Sequence, residues 1–214
     1  MAGGALPPFA SERPRSSGGL VVREAVILAI VAIGVAFAMK AAVAQAFYIP
    51  SASMVPQLQV RDKIVVSKLA YHLHDPRRGD IVVFDCPPEV QNCRRAKHRF
   101  LPIRLAHDLG EAVGLVQPDK DEFIKRVIGL PGETVEGHDG HVWVDGRRLT
   151  EPYLPAGVVT DDFPPTKVPP GHLWVMGDNR GDSEDSRIFG PIVRSKVVGR
   201  TVLRIWPLDH VSFL

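Results

Sequence analysis

Two side chains, far apart in the chain, have the types needed to cleave an amide together. Ser53 stands in Pro50-Ser51-Ala52-Ser53-Met54-Val55-Pro56, and Lys125 in Glu122-Phe123-Ile124-Lys125-Arg126-Val127-Ile128. A hydrolase that uses no metal needs a nucleophile, a base to activate it and donors for the oxyanion. A serine hydroxyl attacks well only when a neighbour takes its proton, and a lysine can do this only while neutral. Burial among apolar groups disfavours the ammonium and lowers its pKa. The pattern of 122–128 predicts a strand, with Phe123, Lys125 and Val127 on one face and Ile124, Arg126 and Ile128 on the other. Lys125 is then flanked on its own face by two large apolar side chains. Pro50 and Pro56 restrict the backbone around Ser53. The rival reading of Lys125 is a surface lysine with its head in water.

Other catalytic arrangements are not supported. The eight histidines contain no H-E-x-x-H pair, and no G-x-S-x-G elbow occurs. A histidine-based triad cannot be assembled, and neither a metal nor a cofactor is expected. Cys86 and Cys93 are the only cysteines. A structural zinc wants four ligands, and only His98 lies near them in the sequence.

The elements that must position the pair are short strands. Lys63-Ile64-Val65-Val66 and Asp80-Ile81-Val82-Val83-Phe84 are β-branched runs bounded by turn residues. His141-Val142-Trp143-Val144, Asp145-Gly146 and Arg147-Arg148-Leu149 form a hairpin pattern with a type I′ turn signature. His172–Met176 and Val197–Ile205 supply further strands, without βαβ alternation. The 86–121 stretch interrupts the pattern as an insertion, with a basic cluster at Arg94, Arg95, Lys97, His98 and Arg99 and a short helix near 105–116. The cluster reads as a solvated surface or as a contact for anionic phospholipid headgroups.

The N-terminus is different again. Residues 1–22 mix Pro, Ser, Gly and Arg and predict a disordered tail. From Arg23 to Ala46 the chain is almost wholly apolar, and a helix over that range is about 34 Å long, enough to cross a bilayer. A cleavable signal peptide and a buried core helix are the competing readings. The membrane anchor is preferred, because the apolar run outlasts an ordinary signal-peptide core. Arg13, Arg15 and Arg23 precede it, which orients the N-terminus to the cytosol and residues 47–214 outward. In an oxidising compartment Cys86 and Cys93 are expected to form a disulfide, two free thiols being the alternative. The net charge of +2 and the absence of a single-sign stripe speak against a nucleic-acid partner.

Four segments carry a resemblance. Pro50–Leu58, Arg78–Phe84, Phe123–Gly132 and Gly177-Asp178-Asn179-Arg180-Gly181-Asp182-Ser183-Glu184-Asp185-Ser186-Arg187 together resemble the sequence boxes of bacterial type I signal peptidases, in that family's order and after an anchor of the expected orientation. The resemblance covers about residues 23–207. It implies a mostly β fold: a single N-terminal transmembrane helix, then a β-rich catalytic core with a small inserted subdomain and an apolar surface resting on membrane phospholipids. It further implies that Ser53 is the nucleophile, Lys125 the base, and Ser51 a hydroxyl that joins the Ser53 amide in the oxyanion hole. Ser183 would orient the lysine, and Asp185, Arg187 and Asp178 would support the site. The substrates implied are exported preproteins, cut after small residues at −1 and −3.

Ala52 and Gln57 depart from the glycine and threonine common in the family, away from the reacting groups. Lysine at 125, where a histidine would mark the microsomal branch, favours the bacterial one. Ile49, Met54, Leu58 and Ile124 are candidate walls for the substrate pockets. Ala44-Gln45-Ala46 itself looks like a cleavage site. The competing classes are a membrane-tethered binding protein without catalysis and a Ser–Lys autoprotease.

Overall fold

The computed structural model describes residues 18–88, 90, 93 and 122–214. The chain divides into two units, Met1–Met39 and Lys40–Leu214. Most of the expected tail and of the 86–121 insertion, with all of its basic cluster and the short helix expected near 105–116, lies outside the described residues.

Helix α1 (Gly18–Val43) starts earlier and stops sooner than the predicted 23–46. At about 1.5 Å per residue its 26 residues span about 39 Å. Side chains are described over residues 22–35 of it, where Val26, Ile27, Leu28, Ile30, Val31 and Ile33 are all exposed. Among the described residues no helix is long and apolar enough to cross a membrane.

The helix ends where backbone pairing begins. Ala44–Tyr48 forms β1, antiparallel to β2 (Lys63–Ser67), with Ala44 opposite Ser67 and Tyr48 opposite Lys63. Alternation buries Gln45 and Phe47. The sequence reading placed Ala44–Ala46 in the helix because their small apolar side chains continue the run before them.

The remaining elements are β3 (Ile81–Asp85), β4 (Glu122–Gly129), β5 (Thr134–His138), β6 (His141–Val144), β7 (Arg147–Arg148), β8 (Phe163–Lys167), β9 (His172–Met176), β10 (Ile192–Val193), β11 (Val197–Trp206) and β12 (Ser212–Phe213), with one-turn helices α2 (Ala70–Leu73) and α3 (Ser186–Phe189). An eight-stranded antiparallel sheet runs β1-β2-β11-β3-β4-β9-β10, with β12 also on β11. A four-stranded sheet, β7-β6-β5-β8, is inserted between β4 and β9. Asp145 and Gly146 both have positive φ, 49° and 70°, as the predicted hairpin turn requires. Asp139 and Gly140 repeat the device between β5 and β6.

Both faces of β3 are covered, so Ile81 to Phe84 are all buried. Ile81 and Val83 join one apolar cluster with Phe47, Ile49, Met54, Leu58, Ile64, Val66 and Ile124. Val82 and Phe84 join another with Val127, Leu173, Val175 and Ile192. A third cluster, including Ile128, Val135, Val142, Trp174 and Met176, ties the small sheet to β4 and β9.

Candidate active site

Lys125 lies near the centre of β4, opposite Val82 of β3. Its Nζ donates a hydrogen bond to Ser53 Oγ at 2.7 Å. Lys125 is only 4% exposed and Ser53 7%. The two residues singled out by type thus meet across 72 positions of sequence. Burial lowers the Lys125 pKa to about 8. Asp185 and Glu184 pull it back up, Arg187 lowers it, and Asp178 raises it. Desolvation prevails, as it does for an amine with few water contacts.

The Ser53 segment is fixed from both sides. Met54 and Leu58 are fully buried, and Leu58 N donates to Met54 O, closing a helical turn. Above it, Asn179 N donates to Ser53 O at 3.0 Å, and Asn179 Nδ2 donates to Ala52 O at 3.2 Å. Gly177 is required here: a Cβ would collide with Ser183 Oγ and the Ser53 carbonyl. Ser51 Oγ lies 3.4 Å from Ser53 Oγ.

Asp185 organises the 177–187 turn. It is wholly buried, caps α3, accepts from Gly177 N at 2.9 Å and holds Arg187 through two bonds of 2.9 Å. Asp178 takes a similar two-point contact from Arg126, at 2.8 and 2.6 Å. Arg126 also donates to Gly79 O and lies against the Tyr153 ring, 4.0 Å from its centroid. Arg180 pairs with Glu151 and donates to Thr160 Oγ1 at 2.8 Å. The sequence reading missed Arg126, Asn179 and Arg180, although each adjoins a residue it singled out.

Two expectations meet a different geometry. Ser183 Oγ is buried but makes no hydrogen bond, so the bond expected to Lys125 is not formed. A cleft of about 420 Å³ opens beside the pair, lined by Pro50–Ser53, Val90, Cys93, Glu122–Lys125, Asp182 and Glu184. Ile124 lines it. Ile49, Met54 and Leu58 do not; they lie in the core cluster with Ile124. Cys86 and Cys93 are joined by a disulfide, with Cα atoms 6.2 Å apart. Among the described residues no group of His, Cys, Asp or Glu could hold a metal ion.

The buried Ser53–Lys125 pair opens on a cleft. The family model for signal peptidase, peptidase S26, matches residues 22–206, and the chain belongs to that family. It is 36% identical over 203 residues to "Probable signal peptidase I-2" of Synechocystis, covering 95% of this chain and 80% of that protein. Against "Signal peptidase I" of Mycobacterium tuberculosis the identity is 35%, with 92% and 76% covered. Against that of Leptolyngbya laminosa it is 40%, with 84% and 77% covered. A solved signal peptidase I from Enterococcus faecalis matches with a TM-score of 0.40 at 28% identity, over 59% of this chain and 97% of that one. The protein is therefore a hydrolase of the serine peptidase class.

Proposed function

We infer that this protein is a membrane-bound endopeptidase that removes signal peptides from exported preproteins, cutting after small residues at −1 and −3 with a Ser53–Lys125 dyad. The observation that carries this reading is the 2.7 Å bond between Lys125 Nζ and Ser53 Oγ, made by a lysine whose burial brings its pKa to about 8.

Neutral Lys125 accepts the Ser53 proton as Oγ adds to the scissile carbonyl. The developing oxyanion is met by the Ser53 amide and the Ser51 hydroxyl. Protonated Lys125 gives its proton to the departing amine, leaving an acyl ester on Ser53. Water then enters, Lys125 takes one of its protons, and the acid is released as Ser53 regains its hydrogen. Ser183 is read as the group that orients Lys125 during the reaction: its buried hydroxyl has no hydrogen-bond partner among the described residues, Lys125 included, and so is free to take one. Asp185, Arg187 and Asp178 hold the turn that carries it.

The α1 segment is read as a single-pass anchor in the bacterial inner membrane, with a cytosolic N-terminus and an extracytoplasmic catalytic domain from residue 47 in contact with phospholipid. Its exposed Val, Ile and Leu side chains support this. Sedimentation with membranes and resistance to alkaline extraction test it.

The test of the activity is cleavage of a preprotein with an Ala-x-Ala site by detergent-solubilised protein, beside Ser53→Ala and Lys125→Ala. Cleavage by the wild type alone supports the dyad. Activity surviving both substitutions overturns it.

A further inference from the structure

One wall of the cleft is not used in the mechanism above. Val90 and Cys93 line it together with Ser53 and Lys125, and both are tied back to the residues that follow β3. Those residues start where β3 ends: Asp85 pairs with Glu122 of β4, and Cys86 follows directly. Pro87 and Pro88 fix two successive φ angles. Val90 N donates to Pro87 O at 3.1 Å, and the Cys86–Cys93 disulfide closes the ring over a separation of 7 residues. Pro87 is buried, while Val90 and Cys93 are half-buried and face the cleft.

The same cleft also has acidic residues in its lining, Asp182 and Glu184. An extended peptide lying along β4 presents alternate side chains to one face. The branched side chain of Val90 and the sulfur of Cys93 therefore limit the bulk that a substrate side chain can bring there.

We propose that Val90, beside the Cys86–Cys93 disulfide, is a specificity-determining wall of the peptide cleft that excludes large side chains at one substrate position. This rests on the reading of the cleft as the peptide site. The disulfide acts through Val90: it ties Cys93, on the same wall, to Cys86 at the end of β3 and takes no part in the chemistry. A hydrophobic pocket discriminates by roughly tenfold or more for each methylene it refuses. Shortening Val90 to alanine removes two methyl groups, so selectivity at the affected position falls by about tenfold or more.

The experiment uses full-length detergent-solubilised protein and peptides carrying Ala, Val, Leu or Phe, one at a time, at each of the five residues before the cleaved bond. kcat/KM ratios are compared for wild type, Val90→Ala, Cys86→Ser/Cys93→Ser and dithiothreitol-reduced wild type, with the thiol count checked by alkylation and mass. The expected result is one position at which Val90→Ala raises acceptance of the larger residues by about tenfold, with loss of the disulfide relaxing the same position. Ratios that stay within twofold at every position overturn the proposal. So does an equal loss for all peptides, which marks general loosening.

Binding of the same peptides to Ser53→Ala, with and without Val90→Ala, separates the two readings. Peptides that the wild type leaves uncleaved, yet that bind Ser53→Ala with Val90-dependent size ratios, refute the peptidase reading and leave the wall standing. Cleaved peptides with unchanged ratios do the reverse.

Discussion

Arg126 and Asp178 face each other in a two-point ion pair sealed inside the protein, with Nε–Oδ1 at 2.8 Å and Nη2–Oδ2 at 2.6 Å. Each is the direct chain neighbour of an active-site element: Arg126 follows Lys125, and Asp178 follows Gly177. The pair therefore fixes β4 against the turn whose Asn179 holds the Ser53 carbonyl. Both side chains are at least nine-tenths buried, so removing one leaves the other without solvent or counter-charge. Asp178→Ala is expected to lose about 3–5 kcal/mol, a fall in Tm on the order of 10 °C. Arg126→Lys also loses stability, because an ammonium cannot reproduce the planar fork. Thermal unfolding of the variants checks both.

The pH profile follows from the sign of the Lys125 shift. With its pKa at about 8, the amine is mostly protonated at neutral pH and cannot accept the Ser53 proton. Activity should rise about tenfold per pH unit below that value and level off above it. Initial rates on a peptide substrate between pH 6 and 10 measure this, and a flat profile counts against Lys125 as the base.

Asp185→Asn moves that profile. The Asp185 carboxylate raises the Lys125 pKa, so its neutralisation lets the pKa fall further. Arg187, left without its partner, acts in the same direction. The rising limb is expected to shift to lower pH while the Tm falls. A limb displaced upward would show that Asp185 does not act on the lysine through its charge.

Stability should carry the same signature. The folded protein binds the Lys125 proton less tightly than the unfolded chain, whose lysine titrates near 10.5. The resulting penalty, about 3 kcal/mol, is complete below pH 8 and gone above 10.5. The wild type therefore gains stability between those values relative to Lys125→Met, which has no proton to lose. Parallel denaturant titrations at pH 7 and 10 give the difference.

Gly177→Ala tests steric fit at the site. The added methyl group meets Ser183 Oγ and the Ser53 carbonyl and must push the nucleophile segment away from Asn179. A loss of about 1–3 kcal/mol in stability is expected, with a fall in kcat larger than that alone explains. Single-turnover kinetics on folded variant separates the two effects.

The strands that hold the site were readable because β3 and β4 are rich in β-branched residues and β9 is an apolar run, each bounded by turn residues. Strand alternation singled Lys125 out between Phe123 and Val127, but its role as base was read from the resemblance of its segment to the signal peptidase boxes. Strand β8 was not readable: Phe163-Pro164-Pro165-Thr166-Lys167 carries two prolines, tolerated there because β8 is the edge of the small sheet. The Arg126–Asp178 pair joins positions 52 residues apart, and no local pattern specifies such a partner. Ile49, Met54 and Leu58 were read as pocket walls from their nearness to Ser53 in the chain. Their burial in the core cluster seats the Ser53 segment and leaves them out of the cleft lining.

Strand β1 has one more consequence. Its Ala44-Gln45-Ala46 has the small-x-small spelling that the proposed enzyme would read in a substrate, yet all three residues are paired with β2 and Gln45 is buried. A peptidase that needs its target as a free extended strand finds this one already taken. Folding would thus act as the protein's immunity to its own copies, and the sequence would become cuttable only in a chain that has lost its sheet.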